Sequence, residues 1–450
     1  MFLSVGNFGN QFPSEWKPPR SWIPLHRTRS IMELFMQTLD KQTSPTTPLH
    51  FLRNALLLLL LFLLVPGAAF LMHLYDEEVE FKIRGTPPKI VEGPWGELHE
   101  WDIRLEQPVE YVGFDQTEPG LPNWNFNSMT ELAVHDHLIA CGISGSQVAG
   151  FLKCRLPDFG GSFVISPTED LLLSLSPEVR ARLYLELSKN QANKFQYTPY
   201  FLPLQSMDSL FATDGYNNHG EILSLIKKLS YQRNGFTYFS DPEIVMNHLS
   251  SEKESLAFLK SLSGVTALIT RLRVQRDSDL EKIANYWMLS MPGIRAKDIK
   301  PLLEAEKMLP EGGTLSLIYL LPQLAREKLF STPLPSDGKS SVQPDCHWSA
   351  LNFFSLTPDP RMLDNTFASR YIIENYYQIA QPGIGGDLVL LLNSSNKVIH
   401  SSVYIADDFV FTKNGFNYAQ PWVLMREKTM IGYFSALEPV KAVYFRRKNL

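Results

Sequence analysis

An α+β fold is predicted: a mostly helical accessory region, followed by a C-terminal domain in which a cysteine-bearing helix packs on an antiparallel sheet. Three observations predict it. Residues 166–330 space their apolar side chains mainly as helices do, a helix starts at Cys346, and residues 388–412 read as three short strands joined by tight turns. A chain of 450 residues has room for two or three domains. With 44% hydrophobic residues, 20% charged residues and a formal net charge of -5, it has the composition of a globular protein, and nothing in it implies nucleic acid.

Residues 1–52 are rich in Pro, Thr and Ser without a sustained period and read as a disordered tail. Ala55–Met72 is a run of 18 apolar or small residues, just sufficient to cross a hydrocarbon core, so 53–75 is expected to be a transmembrane anchor. Six Lys or Arg precede the run against three acidic residues, and Asp76, Glu77, Glu78 and Glu80 follow it. That asymmetry predicts a single-pass protein with its domains outside the cytoplasm, periplasmic or extracellular. A cleaved signal peptide, with small residues at Gly67–Ala69, is the competing reading.

Residues 76–335 form the expected accessory domain. Short strands around Trp101, Ile103, Val109 and Tyr111 come first, and then a helix capped at Ser128 with Glu131 in a capping box. His135 and His137 lie on that helix but do not share a face, which argues against a shared metal. Helices are expected over 167–189, 219–233, 241–249, 252–270, 278–289, 295–308 and 314–329, with Pro177 and Pro242 at first turns. Only three cysteines occur, and Cys141 and Cys154 are read as core thiols rather than a disulfide framework. A Pro, Ser, Asp and Gly cluster at 332–344 marks the boundary to a last domain, 336–450.

In that last domain Asp345 can cap the helix that begins at Cys346, where unpaired backbone N–H groups favour a thiolate. Gly386 and Asp387 lead into the strand Leu388–Leu392, Asn393–Lys397 makes the turn, and Val398–Ile405 returns. His400, Ser402 and Tyr404 share one face of that strand by the two-residue period, and Thr412 and Asn414 share a face of the next. A cysteine at a helix start facing a histidine on a sheet is what covalent acyl transfer needs. Asp407 and Asp408 read as a solvated turn, and His347 as wall rather than base.

The order of Cys346 on a helix, Gly386-Asp387-Leu388-Val389 into a strand, and His400-x-x-x-Tyr404-Ile405 on the next resembles the NlpC/P60 and CHAP-like branch of the papain-like cysteine peptidases and amidases. The resemblance implies Cys346 as nucleophile, His400 as base, Gly386 and Asp387 as a structural turn, and a third polar residue near Thr412, with Asn414 as the alternative. The Cys346-His347-Trp348 sequence departs from the small residues usual after that cysteine. What the resemblance and the anchor imply together is a membrane-anchored thiol hydrolase or acyltransferase acting on an amide or ester, with cell-envelope peptide or an acyl group as substrate. The competing expectation is an inactive envelope scaffold of the same fold. No cofactor is expected, since no phosphate-binding loop, dinucleotide fingerprint or metalloprotease motif occurs.

Overall fold

The computed structural model describes residues 87–107, 119–157, 161–203, 219–290, 296–333, 343–415 and 419–449. The chain is mixed α+β, and Pro87–Leu450 forms one compact unit. Strands β1 (Lys89–Gly93) and β2 (Gly96–Leu105) make a hairpin, its turn closed by Gly96 at φ +98. Then come β3 (Trp124–Asn125), helices α1 (Glu131–Ala140) and α2 (Gly145–Lys153), β4 (Val164–Ile165), α3 (Glu169–Leu173), α4 (Pro177–Leu187), α5 (Lys194–Tyr197) and β5 (Tyr200–Leu202). Next are α6 (His219–Leu229), β6 (Tyr231–Arg233), β7 (Phe236–Phe239), α7 (Pro242–Met246), α8 (Glu252–Ser263), β8 (Val265–Val274), α9 (Leu280–Ser290), α10 (Ala296–Met308), β9 (Gly313–Ser316) and α11 (Gln323–Lys328). The C-terminal part comprises α12 (Cys346–Leu351), α13 (Asn365–Asn375), β10 (Tyr376–Ile379), β11 (Leu388–Leu392), β12 (Val398–Ala406), β13 (Phe409–Lys413), β14 (Trp422–Arg426), α14 (Glu427–Phe434) and β15 (Lys441–Arg447).

Two larger antiparallel sheets dominate, one of order β1-β2-β8-β9 and one of order β10-β15-β11-β12-β13-β14. The accessory region is therefore less helical than expected. The helix expected over 252–270 stops at Ser263, and Val265–Val274 instead pairs with β2 from Leu105↔Val265 to Glu97↔Arg273. Val265, Thr266, Ile269, Thr270 and Val274 are β-branched and stiff at χ1, and a strand between two neighbours suits them better than a helix. Likewise the helix expected over 219–233 ends at Leu229, and β6 and β7 form a hairpin about Asn234 and Gly235, both at positive φ. The span 314–329 divides into β9, a 3-10 turn at Leu317–Leu320 and α11. Thr130, rather than Ser128, caps α1, accepting from the Ala133 N–H. Val109 and Tyr111 lie outside the described residues.

The expected division at 335/336 does not separate two cores. One apolar cluster joins Leu98, Leu268, Trp287 and Leu303 from before it to Trp348, Phe353, Leu390, Val403 and Phe411 after it. Tyr286 of α9 also donates its hydroxyl to the Ile405 carbonyl at 2.8 Å. A second cluster gathers Trp124, Phe151, Tyr184, Tyr238 and Phe258. The third packs Val389, Leu391, Tyr404, Val410 and Met430 against Val265 and Ala267 of β8.

The expected single-pass membrane topology is corrected. Among the described residues no helix is long and apolar enough to cross a membrane. The run 55–72 on which that expectation rested lies outside the described residues, as do residues 1–52.

Candidate functional site

Cys346 opens α12 as the sequence predicts, because Pro344 ends the preceding segment and the Asp345 carboxylate accepts from the Trp348 N–H at 2.7 Å. Cys346 as a whole is only 6% exposed. Burial, and then the Asp345 charge, push its thiol up to about 12; the Ser401 and His347 backbone groups and the Lys413 charge oppose this without prevailing. Desolvation thus outweighs the helix start, and the thiolate that acyl transfer needs is not stabilised. Cys141 and Cys154 are also free thiols.

His400 lies on β12, fully buried, and burial holds its imidazole well below the ordinary histidine value, with His347 and Lys413 adding to the effect. Its Nε2 is 2.8 Å from the Thr412 hydroxyl, which in turn donates to Asn414 Oδ1 at 3.3 Å. The chain of bonds assigns the proton to Nε2 and leaves Nδ1 as a bare acceptor. Thr412 and Asn414 therefore do adjoin the imidazole, as the alternation along β13 predicts.

The two halves of the expected dyad are nevertheless not joined. Leu390, paired with Ser401, packs with Trp348, Ala350 and Leu351 of α12, whereas Leu391, paired with His400, belongs to the third cluster. Paired residues point to the same side of a sheet. Helix α12 thus covers the Ser401 face, where His347 Nδ1 meets the Ser401 hydroxyl at 2.7 Å. His400 projects from the other face, where the Phe434 ring of α14 stacks on it at 4.2 Å between centroids. His400 Nδ1 has no hydrogen-bond partner, so no hydrogen bond connects it to Cys346. The expected thiol protease or hydrolase is corrected on this ground: the sulfur and the imidazole are buried, not bonded to each other, and unprimed.

Gly386 and Asp387 do form the structural turn. Gly386 sits at φ +102 and donates its N–H to the Tyr404 carbonyl at 2.8 Å. Asp387 is fully buried, accepts from the Gly383 and Ile384 N–H groups, and takes the Arg446 guanidinium in a fork at 2.8 and 2.7 Å.

Two contributors escape a sequence reading. Lys413 is buried, donates to the Gly415 carbonyl at 2.7 Å and lies over the Trp422 ring; burial lowers its ammonium to about 8 against the raising effects of Cys346 and Asp345. Strand alternation does place Lys413 opposite Thr412, but nothing local says that its side is covered. Phe434 gives no local signal. Asp407 and Asp408 meet Glu100 in a carboxylate cluster, where Lys89 reaches Asp407 at 2.8 Å and Arg426 reaches Asp408 at 2.7 Å and Glu100 at 3.0 Å. Lys89 and Arg426 pair with these carboxylates, which makes the cluster an ion-pair network between the two sheets. His135 bonds Asp136, whereas His137 lies 3.9 Å from a different carboxylate, Glu186. No protein-family model, no curated protein and no solved structure matches the chain.

Proposed function

We propose that this chain is a non-catalytic binding or scaffold protein whose C-terminal part carries an NlpC/P60-like, papain-like fold. The likeness rests on placement. Cys346 opens a helix that packs on an antiparallel sheet, Gly386 and Asp387 lead into β11, His400 lies on β12 and Thr412 on β13. The observation that carries the non-catalytic reading is the unpartnered His400 Nδ1 beneath Phe434, with α12 on the opposite face of the sheet. A general base must lie within hydrogen-bond reach of the proton it takes, directly or through one water. The binding role is supported by a second buried polar atom without a partner, Ser402 Oγ, on the same face of β12 as His400. Each such atom costs about 1–3 kcal/mol, and a strand with only a packing role would avoid both.

Alkylation of Cys346 across pH, resolved from Cys141 and Cys154 by peptide mass spectrometry, tests this reading on the full chain and on its His400→Ala variant. Labelling is expected to be slow at neutral pH and to rise only above the ordinary thiol value of about 8.5, equally in both proteins. Rapid labelling near neutrality that slows sharply without His400 overturns it.

A further inference from the structure

A second group of buried titratable side chains lies away from Cys346 and His400, where α4 meets α7. Asp241 occupies the N-cap position of α7, yet its carboxyl caps nothing. It turns into the second core, fully buried, where Oδ1 accepts the Tyr184 hydroxyl of α4 at 2.7 Å and Oδ2 has no hydrogen-bond partner. Glu243, in the first turn of α7, also carries a buried oxygen without a partner. Arg180 of α4 is the nearby cation, but its terminal nitrogens are bonded to the Lys228 and Leu172 backbone carbonyls and its Nε is unpartnered. Tyr231 of β6 donates to or accepts from Ser240 at 2.9 Å beside the same carboxyl.

We propose that the junction of α4 and α7 is a pH-operated latch, closed while the Asp241 and Glu243 carboxyls are protonated and released as they ionise. A buried carboxylate without a paired cation is costly, whereas the neutral acid is tolerated and still accepts from Tyr184. The groups acting on Asp241 are Arg180 and Tyr184 of α4; those acting on Glu243 are its own backbone N–H, Asp241 and Lys194 of α5. Tyr200 of β5 feels Glu243, and Tyr231 feels Asp241. The other helices packed on α7 carry Glu221, Lys227 and Lys228 (α6) and Glu252, Lys253, Glu254 and Lys260 (α8). Burial raises Asp241 to about 6 and Glu243 to about 7.

The sign follows from linkage. An acid whose folded value is raised above its unfolded value, about 4 for both residue types, favours folding fully below that unfolded value. The contribution is lost as pH rises through the folded values, here between about 4 and 7. The latch is therefore closed in mild acid and weakened above neutrality.

Hydrogen exchange on the full chain reads it directly. Protection of the Asn247 and His248 amides, which bond the Glu243 and Val245 carbonyls of α7, is expected, once corrected for intrinsic rates, to fall by about 10- to 100-fold between pH 5 and pH 8, while that of β11 falls less. The Asp241→Asn/Glu243→Gln variant retains an acceptor for Tyr184 and should show no such difference. An α7 whose protection follows β11 in the wild-type protein, or a double variant with the wild-type pH slope, overturns the proposal. The first result needs no variant to fold.

Discussion

Asp387→Ala is expected to lower the unfolding free energy by about 3 kcal/mol, the low end of what breaking a buried ion pair costs. The substitution leaves the Arg446 fork and the Gly383 and Ile384 N–H groups without their acceptor at once. The low end applies because Arg446 is a quarter exposed and can recover part of its hydration, whereas Asp387 is fully buried. The effect reaches beyond the turn. Arg446 belongs to β15, the strand between β10 and β11, so this bond ties the C-terminal strand to the entrance of β11. Urea titration followed by tryptophan fluorescence measures the change, and a loss below about 1 kcal/mol, the net worth of a single ordinary hydrogen bond, would mean that the turn does not depend on the carboxylate.

A larger loss, about 3–5 kcal/mol, is expected for Trp422→Ala, the range for truncating a large aromatic side chain in a core. Trp422 is 2% exposed on the edge strand β14, and its indole N–H donates to the Ser349 hydroxyl of α12 at 2.8 Å. Lys328 and Lys413 lie over its ring, and its backbone bonds Phe330 and Ser331. The side chain thus fastens α12 to the sheet, and its removal opens a cavity beside a buried lysine. Trp422→Phe keeps most of the volume and loses chiefly the indole hydrogen bond, which sets its cost near 1 kcal/mol. The same titration distinguishes the two. Equal losses for Ala and Phe would assign the stability to the hydrogen bond rather than to packing.

Much of the C-terminal architecture is legible locally. Leu388–Leu392 is bounded as read, because Asp387 ends the turn before it and Asn393–Lys397 supplies the polar turn after it. Asp345 and Asp364 each cap the helix that follows, accepting from the N–H three residues on. Pro177 and Pro242 stand in the first turns of α4 and α7. These signals act over a few residues of backbone, so sequence alone fixes them.

The errors share the opposite cause. Val265–Val274 has enough apolar residues for a helical stripe, and it becomes a strand because β2 and β9 flank it. Asn234-Gly235 does carry a local hairpin signal, which a helical reading through residue 233 overran.

The site divides the same way. Sequence alone determined which residues are present, where Cys346 and His400 fall on their elements, and that His400, Ser402 and Tyr404 share a face. Alternation has no preferred side, however, and which face α12 covers is decided only when β11, its neighbours and Phe434 of α14 assemble. Burial was likewise decided there. A helix start favours a thiolate by a short-range field, but the surrounding core removes the water on which that charge depends, and for Cys346 desolvation is the larger effect.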